Sequence, residues 1–121
     1  MKPLYNQIRI EDLRTRINFL LKYFQRTQKT AIKEVNTAYT ITLEDRTINA
    51  DATSSAFTIT LPKAYNADGY IFNIKKLDSS ANAVTVDGDG SETIDGSTTM
   101  IISNQYDSLT VQSDGTEWFI L

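Results

Sequence analysis

The spacing of apolar residues divides the chain into two parts with different periods. Between residues 10 and 35, apolar side chains recur every three or four positions, which places them in one stripe along an α-helix. The stripe consists of Ile10, Leu13, Ile17, Leu20, Phe24 and Ala31, with Thr27 in the remaining slot. Glu11 and Asp12 near the start, and Lys29 and Lys33 near the end, suit the helix dipole. The pattern predicts an amphipathic helix over residues 10–35, with Asn36 as its terminator.

From residue 37 onward the period falls to two, which indicates β-strands. Strand signals cover residues 38–43, 47–50, 56–61, 70–77, 83–86, 92–94, 98–103, 108–112 and 118–121. They recur about every ten residues, a spacing typical of antiparallel sandwiches and barrels. The sequence therefore predicts a mainly β fold, an antiparallel β-sandwich or barrel of about eight strands preceded by one N-terminal amphipathic α-helix. The expected domains are an arm and helix over 1–36 and a β-sandwich over 37–121.

Three of the predicted strand segments are apolar on both faces, namely residues 70–72, 100–102 and 118–121. Such strands need cover on both sides, and a small sandwich has little to cover them with. We therefore expect a neighbouring subunit to provide that cover. The residues expected to fill the core and the subunit contacts are Tyr70, Phe72, Met100, Ile102, Trp118 and Ile120.

The helical stripe admits three roles. Ile and Leu at the a and d positions suit a short parallel coiled coil, with a leaning in isolation towards two strands rather than three. The stripe could also pack on the sheet of its own subunit or insert into a larger assembly. Apolar residues off the stripe, such as Leu21 and Tyr23, favour several neighbours over a two-helix seam. The expected helix contacts are Ile10, Leu13, Ile17, Leu20 and Phe24. The pattern does not distinguish a dimer from a trimer.

Charge is distributed unevenly along the chain. Residues 1–36 hold eight Lys/Arg and three Asp/Glu, a net charge of +5, whereas residues 37–121 hold four and twelve, a net charge of −8. A basic arm on an acidic body indicates two surfaces with different partners. The basic side chains surround the predicted helix, and the acidic body would repel phosphates, so nucleic-acid binding is not expected. We expect residues 1–36 to anchor on other proteins.

Residues that carry common enzyme chemistry are missing. The chain has no cysteine and no histidine, so it lacks thiolate ligands, disulfides and the commonest general base. The acidic run from Asp87 to Glu92 resembles a calcium loop, but its glycine comes too early and its twelfth position is Thr98. The Asp-Gly pairs here, and those at Asp95-Gly96 and Asp114-Gly115, predict hairpin turns instead. We expect no enzymatic activity, no cofactor, no metal, no signal peptide and no membrane insertion.

Three runs in the second part of the chain resemble a β-rich module of tailed-bacteriophage virion proteins. The runs cover residues 74–86, 90–96 and 105–118, and the likeness extends from about Tyr39 to Leu121. The resemblance, to modules of tail fibres, head fibres and capsid decoration proteins, implies a trimeric β-domain without enzymatic activity on the surface of a virus particle. The chain has no extended shaft before this domain, which favours a short peg or a decoration protein.

The expected function is a non-enzymatic bacteriophage structural protein, a homotrimeric short fibre or decoration protein on the virion surface. Residues 1–36 would fasten it to the capsid or tail, and the β-domain would project outward. The alternative is a β module that binds a host receptor or carbohydrate, either as a fibre tip or as a monomer. Thr, Ser and Asn fill the outward strand positions and could contact such a ligand. A weaker alternative is a nucleic-acid-binding accessory factor.

Overall fold

The computed structural model describes residues 10–28 and 30–121, with the side chains of the helix described as far as residue 22. The described chain is mixed α/β and rich in strands, with one α-helix, α1, spanning Ile10–Gln28, and a short 3-10 helix at Ala64–Ala67. The strands are β1 Ile32–Val35, β2 Tyr39–Thr40, β3 Thr47–Ala50, β4 Phe57–Thr60, β5 Ile71–Lys76, β6 Val84–Asp87, β7 Thr99–Ile102, β8 Ser108–Ser113 and β9 Trp118–Ile120. The chain divides between Thr30 and Ala31 into two compact units, and each is described by itself.

The predicted N-terminal helix is present, but it is shorter than the prediction. It begins at Ile10, with Glu11 and Asp12 in its first turn, and ends at Gln28. The prediction that it continues to residue 35 is wrong, because Ile32–Val35 form strand β1 beside β3. This segment carries the β-branched residues Ile32 and Val35, which suit a strand. Lys29, one of the two lysines expected at the helix end, lies outside the described residues.

The strands form two separate sheets, and the chain crosses between them. One sheet has the order β1-β3-β5-β8-β9 and the other the order β2-β4-β6-β7. We call them sheet A and sheet B. From β1 to β6 the chain alternates between the sheets, so β1–β2, β3–β4 and β5–β6 form three successive coils. Neighbouring coils pair in parallel in both sheets.

The predicted antiparallel arrangement is therefore wrong for the first six strands, and the barrel alternative fails because the described sheets stay separate. Two sheets facing each other do form a sandwich-like body. Parallel neighbours need a crossover connection, and here the strand in the opposite sheet supplies it. Short strands at ten-residue spacing are produced equally by this coiling and by hairpins, so the spacing alone could not separate the two.

Antiparallel pairing is confined to the last strands. β7 pairs with β6, while β8 pairs with β5 and then with β9. The third coil is thus followed by strands that reverse direction and complete each sheet. The predicted strand at 92–94 is reduced to isolated bridges at Ile94.

The core lies between the two sheets and is built by alternate residues of each strand. Phe72, Ile74 and Val111 of sheet A face Ile59, Val84 and Val86 of sheet B, and all of them are buried. The Trp118 ring lies 5.8 Å from that of Phe72, measured between centroids. The alternation predicted from the sequence is thus present, and it fixes which face of each strand is buried.

Candidate assembly surfaces

The apolar stripe of α1 is the first candidate surface. Ile10, Leu13, Ile17 and Leu20 lie at helical spacing on this element, and each is between 46% and 65% exposed. Phe24, the fifth predicted contact, lies in α1 but its side chain is outside the described part. Burying each of these four aliphatic side chains contributes about 1.5–3 kcal/mol of stabilisation. Covering the stripe with another apolar surface would therefore be favourable.

The predicted contact residues of the body divide into buried and half-exposed groups. Phe72, Ile102 and Trp118 are buried in the core of the chain itself. Tyr70 and Ile120 are more than one third exposed, and Met100 is partly buried against the core. The structure thus brings the first three together as internal packing and leaves Tyr70 and Ile120 partly exposed.

Three exposed apolar residues of the body are chain neighbours of the predicted contact residues. Ile71 follows Tyr70, Ile101 precedes Ile102, and Phe119 follows Trp118; all three are exposed. The sequence signal for them was the apolar run on both strand faces, but the prediction named the inward members of each run. Only the strand phase, set by pairing in the fold, distinguishes the two.

Ile71 and Phe119 lie in one cross-strand row on the outer face of sheet A. Gln112 lies between them and pairs with Ile71 on one side and with Phe119 on the other. The Gln112 amide is turned away, since its Nε2 donates to the carbonyl of Gly69 at 3.0 Å. Leu121 continues the next row, because its N–H donates to the Thr110 carbonyl at 2.9 Å. The outer face of sheet A consequently presents exposed aliphatic and aromatic groups around a polar centre.

The outer face of sheet B carries hydroxyl groups instead. One cross-strand row contains Thr40, Thr60, Asp87 and Thr99, and the next contains Thr58, Thr85 and Ile101. We call these two rows the threonine face. Their side chains project from the side of each strand opposite the core. The face offers ordered hydroxyl donors and acceptors, with Ile101 as its aliphatic member at the β7 edge.

A buried polar cluster holds two coil corners together. Lys76, fully buried, donates from Nζ to Asp78 Oδ2 at 2.6 Å and to the carbonyls of Asp78 and Ser80. Asp78 Oδ1 accepts from the Ala52 N–H at 2.7 Å, and Asn82 donates to the Ala52 carbonyl at 2.8 Å. Because Ala52 follows β3 and Asp78 follows β5, the cluster ties the corners of successive coils.

The ionised form of Asp78 is favoured within this cluster. Its burial opposes ionisation, but hydrogen bonds from Lys76 and Ser80 outweigh that effect and hold the pKa of Asp78 well below its ordinary value. The arrangement is a satisfied ion pair rather than a reactive one, since each carboxylate oxygen already accepts protein donors. We assign it a structural role.

A second polar contact lies near the first coil. The Tyr39 hydroxyl donates to Asp45 Oδ2 at 2.7 Å, and the Thr42 N–H donates to the same oxygen at 2.9 Å. Burial and the Asp45 carboxylate together raise the pKa of Tyr39 to about 12. Lys33 covers the other side of the tyrosine, with Nζ 4.9 Å from the ring centroid. Charged and polar groups thus close the core at this coil.

One hollow on the surface of the body is lined by acidic and polar residues. This hollow of about 240 Å³ is lined by Glu34, Asn49, Asp51, Thr53, Leu77 and Asp78. Among the described residues, no group of three or more potential metal-ligating side chains converges. In the run from Asp87 to Glu92, the Glu92 carboxylate instead accepts from the Ala64 N–H at 2.9 Å. That contact joins the run to the segment that begins at Ala64.

No family model matches the chain, and neither does any curated protein or solved structure. In the described part of the chain, no helix has both the length and the apolar character that crossing a bilayer requires.

Proposed function

We propose that the chain is a non-enzymatic structural protein of a tailed-bacteriophage virion, a homotrimeric short fibre or decoration protein. The observation that carries the assembly part is the exposed row of Ile10, Leu13, Ile17 and Leu20 on α1. Three copies of such a helix can bury their rows against one another, as in a short coiled coil. Helices of this length are marginal alone, so further contacts between the bodies are needed.

The outer face of sheet A supplies candidates for those further contacts. Ile71, Phe119 and Leu121 are exposed on it, and a polar ladder runs between them, in which Thr110 Oγ1 donates to Asn73 Oδ1 at 2.8 Å. A face of mixed apolar and satisfied polar groups is typical of subunit interfaces. We assign this face to contacts between copies.

The virion part of the proposal is supported by the likeness of residues 74–86, 90–96 and 105–118 to phage modules. The charge distribution adds to it, because a basic segment over residues 1–36 suits docking on an acidic capsid or tail protein. The partners are therefore other copies of the chain and other virion proteins, and the location is the particle surface.

Sedimentation equilibrium of the full chain at tens of micromolar tests the assembly. We expect three times the mass of one chain. Replacing Leu13 and Ile17 together by Asp places charges within the stripe and should leave single chains. Thr15→Asp adds a charge to α1 about half a turn away from the stripe and should leave the trimer intact. A wild-type chain that sediments as one copy would contradict the proposal.

A second function is favoured by the threonine face. Rows of hydroxyl groups on a rigid sheet can hydrogen-bond to carbohydrate, which would make the chain a host-receptor- or carbohydrate-binding module. The test is a glycan array with the full chain, followed by the double variant Thr60→Val and Thr85→Val. Valine keeps the shape but removes the hydroxyls, so binding should be lost while the fold is retained. Unchanged binding would exclude this face.

A further inference from the structure

The two sheets have four outer strands, β1, β2, β7 and β9, and three of them are protected against pairing with another chain. β9 is covered by its own chain. The Trp118 N–H donates to the Thr93 carbonyl at 2.9 Å, and the Trp118 carbonyl accepts from the Asp95 N–H at 3.0 Å. The Ile120 N–H donates to the Asp95 side chain at 3.1 Å. The outer edge of β9 is therefore already hydrogen-bonded to residues 93–95 of the same chain.

The two strands of the first coil are protected by charge and by length. β1 carries Lys33 and Glu34 next to each other, and Lys33 lies on the inward side over the Tyr39 ring. Inward charges on an edge strand are a known protection against further pairing. β2 has only two residues, Tyr39 and Thr40, which is too short to template a strand.

β7 has neither protection. The Gly88 N–H donates to the Thr98 carbonyl at 3.1 Å, and this fixes the hydrogen-bonding phase of the β6–β7 pair. Since antiparallel pairs alternate, Met100 and Ile102 face β6, while the backbone groups of Thr99 and Ile101 point to the free edge. The Ile101 side chain is also 65% exposed. Among the described residues, the Thr99 carbonyl accepts from Ser97 Oγ at 2.9 Å, while the Thr99 N–H and both backbone groups of Ile101 have no hydrogen-bond partner at this edge.

The composition of this edge suits a second copy of itself. Residues 97–103 read Ser-Thr-Thr-Met-Ile-Ile-Ser and carry no charge, although 22% of the chain is charged. Two copies can therefore meet without opposing like charges, which would otherwise destabilise a cross-strand pair. We propose that β7 of one copy pairs antiparallel with β7 of another across a twofold axis.

In this pair the two Ile101 residues lie opposite each other, and each N–H donates to the other carbonyl. Thr99 lies opposite Ser103 of the other copy on both sides of the axis. Sheet B then continues through both copies as eight strands, and the two Ile101 side chains pack together on its outer face. The contact is isologous, so it closes at two copies and does not propagate.

The pairing is weak in a single pair of chains. An edge of four residues buries far less than the roughly 1,200–2,000 Å² of a stable interface. It is independent of the stripe on α1. Single chains would give dimers, and a trimer, which carries three such edges, would give a hexamer when all three pair with the same second trimer. The two proposals can therefore fail separately.

The test is sedimentation of the full chain over concentrations from about 5 to 500 μM, a range that brackets a weak edge contact. We expect the mass to double with rising concentration. Ile101→Pro removes the central N–H donor without touching the β6 ladder, so it should weaken the doubling at least about tenfold. Thr40→Pro is the matched control, because the Thr40 N–H faces the free edge of β2 at the other side of the same sheet. It should leave the doubling unchanged.

Amide hydrogen exchange provides a readout that distinguishes pairing from other association. The Ile101 amide should exchange rapidly at low concentration and slowly at high concentration, while the Met100 amide stays protected throughout. Mass doubling that persists in Ile101→Pro, or an Ile101 amide with the same exchange rate at every concentration, would overturn the proposal. Absence of any doubling up to 500 μM would overturn it as well.

Discussion

At the scale of single residues, Lys76 has the largest expected effect on stability. Its ammonium group is fully buried against Asp78. Lys76→Met leaves the carboxylate without its counterion, so the free energy of unfolding should fall by about 3–5 kcal/mol. Urea denaturation measures this loss. Lys75→Met, one position away on the outer face of β5, should cost less than about 1 kcal/mol, and equal losses would contradict the assigned role.

The low pKa of Asp78 predicts a dependence of stability on pH. Because the folded pKa lies below the unfolded value of about 3.9, the carboxylate contributes stability above that pH, and the contribution is lost as pH falls below it. The free energy of unfolding should therefore drop more steeply between about pH 5 and pH 2 in the wild type than in Asp78→Asn. Asp51 and Asp114, whose pKa values are also lowered, are present in both proteins. Parallel curves would show that Asp78 is not the responsible group.

The raised pKa of Tyr39 predicts the opposite dependence in alkali. Its neutral form is favoured in the folded state, so stability should fall as pH rises from about 10 to about 12. An absorbance titration of the phenolates should show one of the six tyrosines titrating late. Asp45→Asn removes the carboxylate and should shift that late step to lower pH. Tyr39→Phe should abolish it.

The sequence did not reveal the role of Lys76, and the reason is physical. Lysine near the end of a strand is usually solvated. The strand phase does place Lys76 inward, because Phe72, Ile74 and Lys76 alternate along β5. Alternation along a strand does not indicate which residue will pair with Lys76. Asp78 follows β5 closely, but the Ala52 N–H that fixes its carboxylate comes from 26 residues earlier.

At the scale of elements, the hairpin before β7 was correctly predicted from its Asp-Gly pair. Asp95 and Gly96 both have positive φ, 48° and 84°, and Ile94 and Ser97 exchange two backbone hydrogen bonds around them. Gly96→Ala forces a side chain into left-handed geometry and should cost about 1–2 kcal/mol. Gly96→Asn should cost less, since asparagine tolerates that region. Thermal unfolding of both variants measures the difference, and equal costs would exclude backbone strain as the cause.

The elements themselves were largely predictable, whereas their partners were not. The three-and-four spacing from Ile10 correctly placed α1, and alternation correctly placed β3 to β8 to within one or two residues. The end of α1 was missed because the stripe continues to Ala31, which left Ile32–Val35 open to assignment as the end of the helix or as a strand. Pairing with β3 decides between them. Parallel pairing was missed because alternation records which face is buried and contains nothing about the direction of the neighbouring strand.

At the scale of the whole molecule, the coils account for the way in which the body closes. Each coil contributes one strand to each sheet, so every added coil extends both sheets and the core between them together. Such a stack needs closure at both ends. Lys33 and Tyr39 close the core at the first coil, and β8 and β9 complete sheet A at the last. The assembly contacts that we propose therefore lie on the outer faces and at the edge of β7.

Removal of residues 1–30 tests the division between the two units. A chain of residues 31–121 keeps Ala31, whose carbonyl accepts from the Thr47 N–H at 3.0 Å, and with it every strand of both sheets. It should keep the β-sheet circular dichroism spectrum. Its urea midpoint should match that of the full chain carrying Leu13→Asp and Ile17→Asp, because both lack the assembly of the stripe. The shortened chain should also lose the threefold mass while keeping any doubling through β7. If residues 31–121 instead unfold at a much lower urea concentration than this variant, the helix stabilises the body within one chain and the trimer proposal loses its main support.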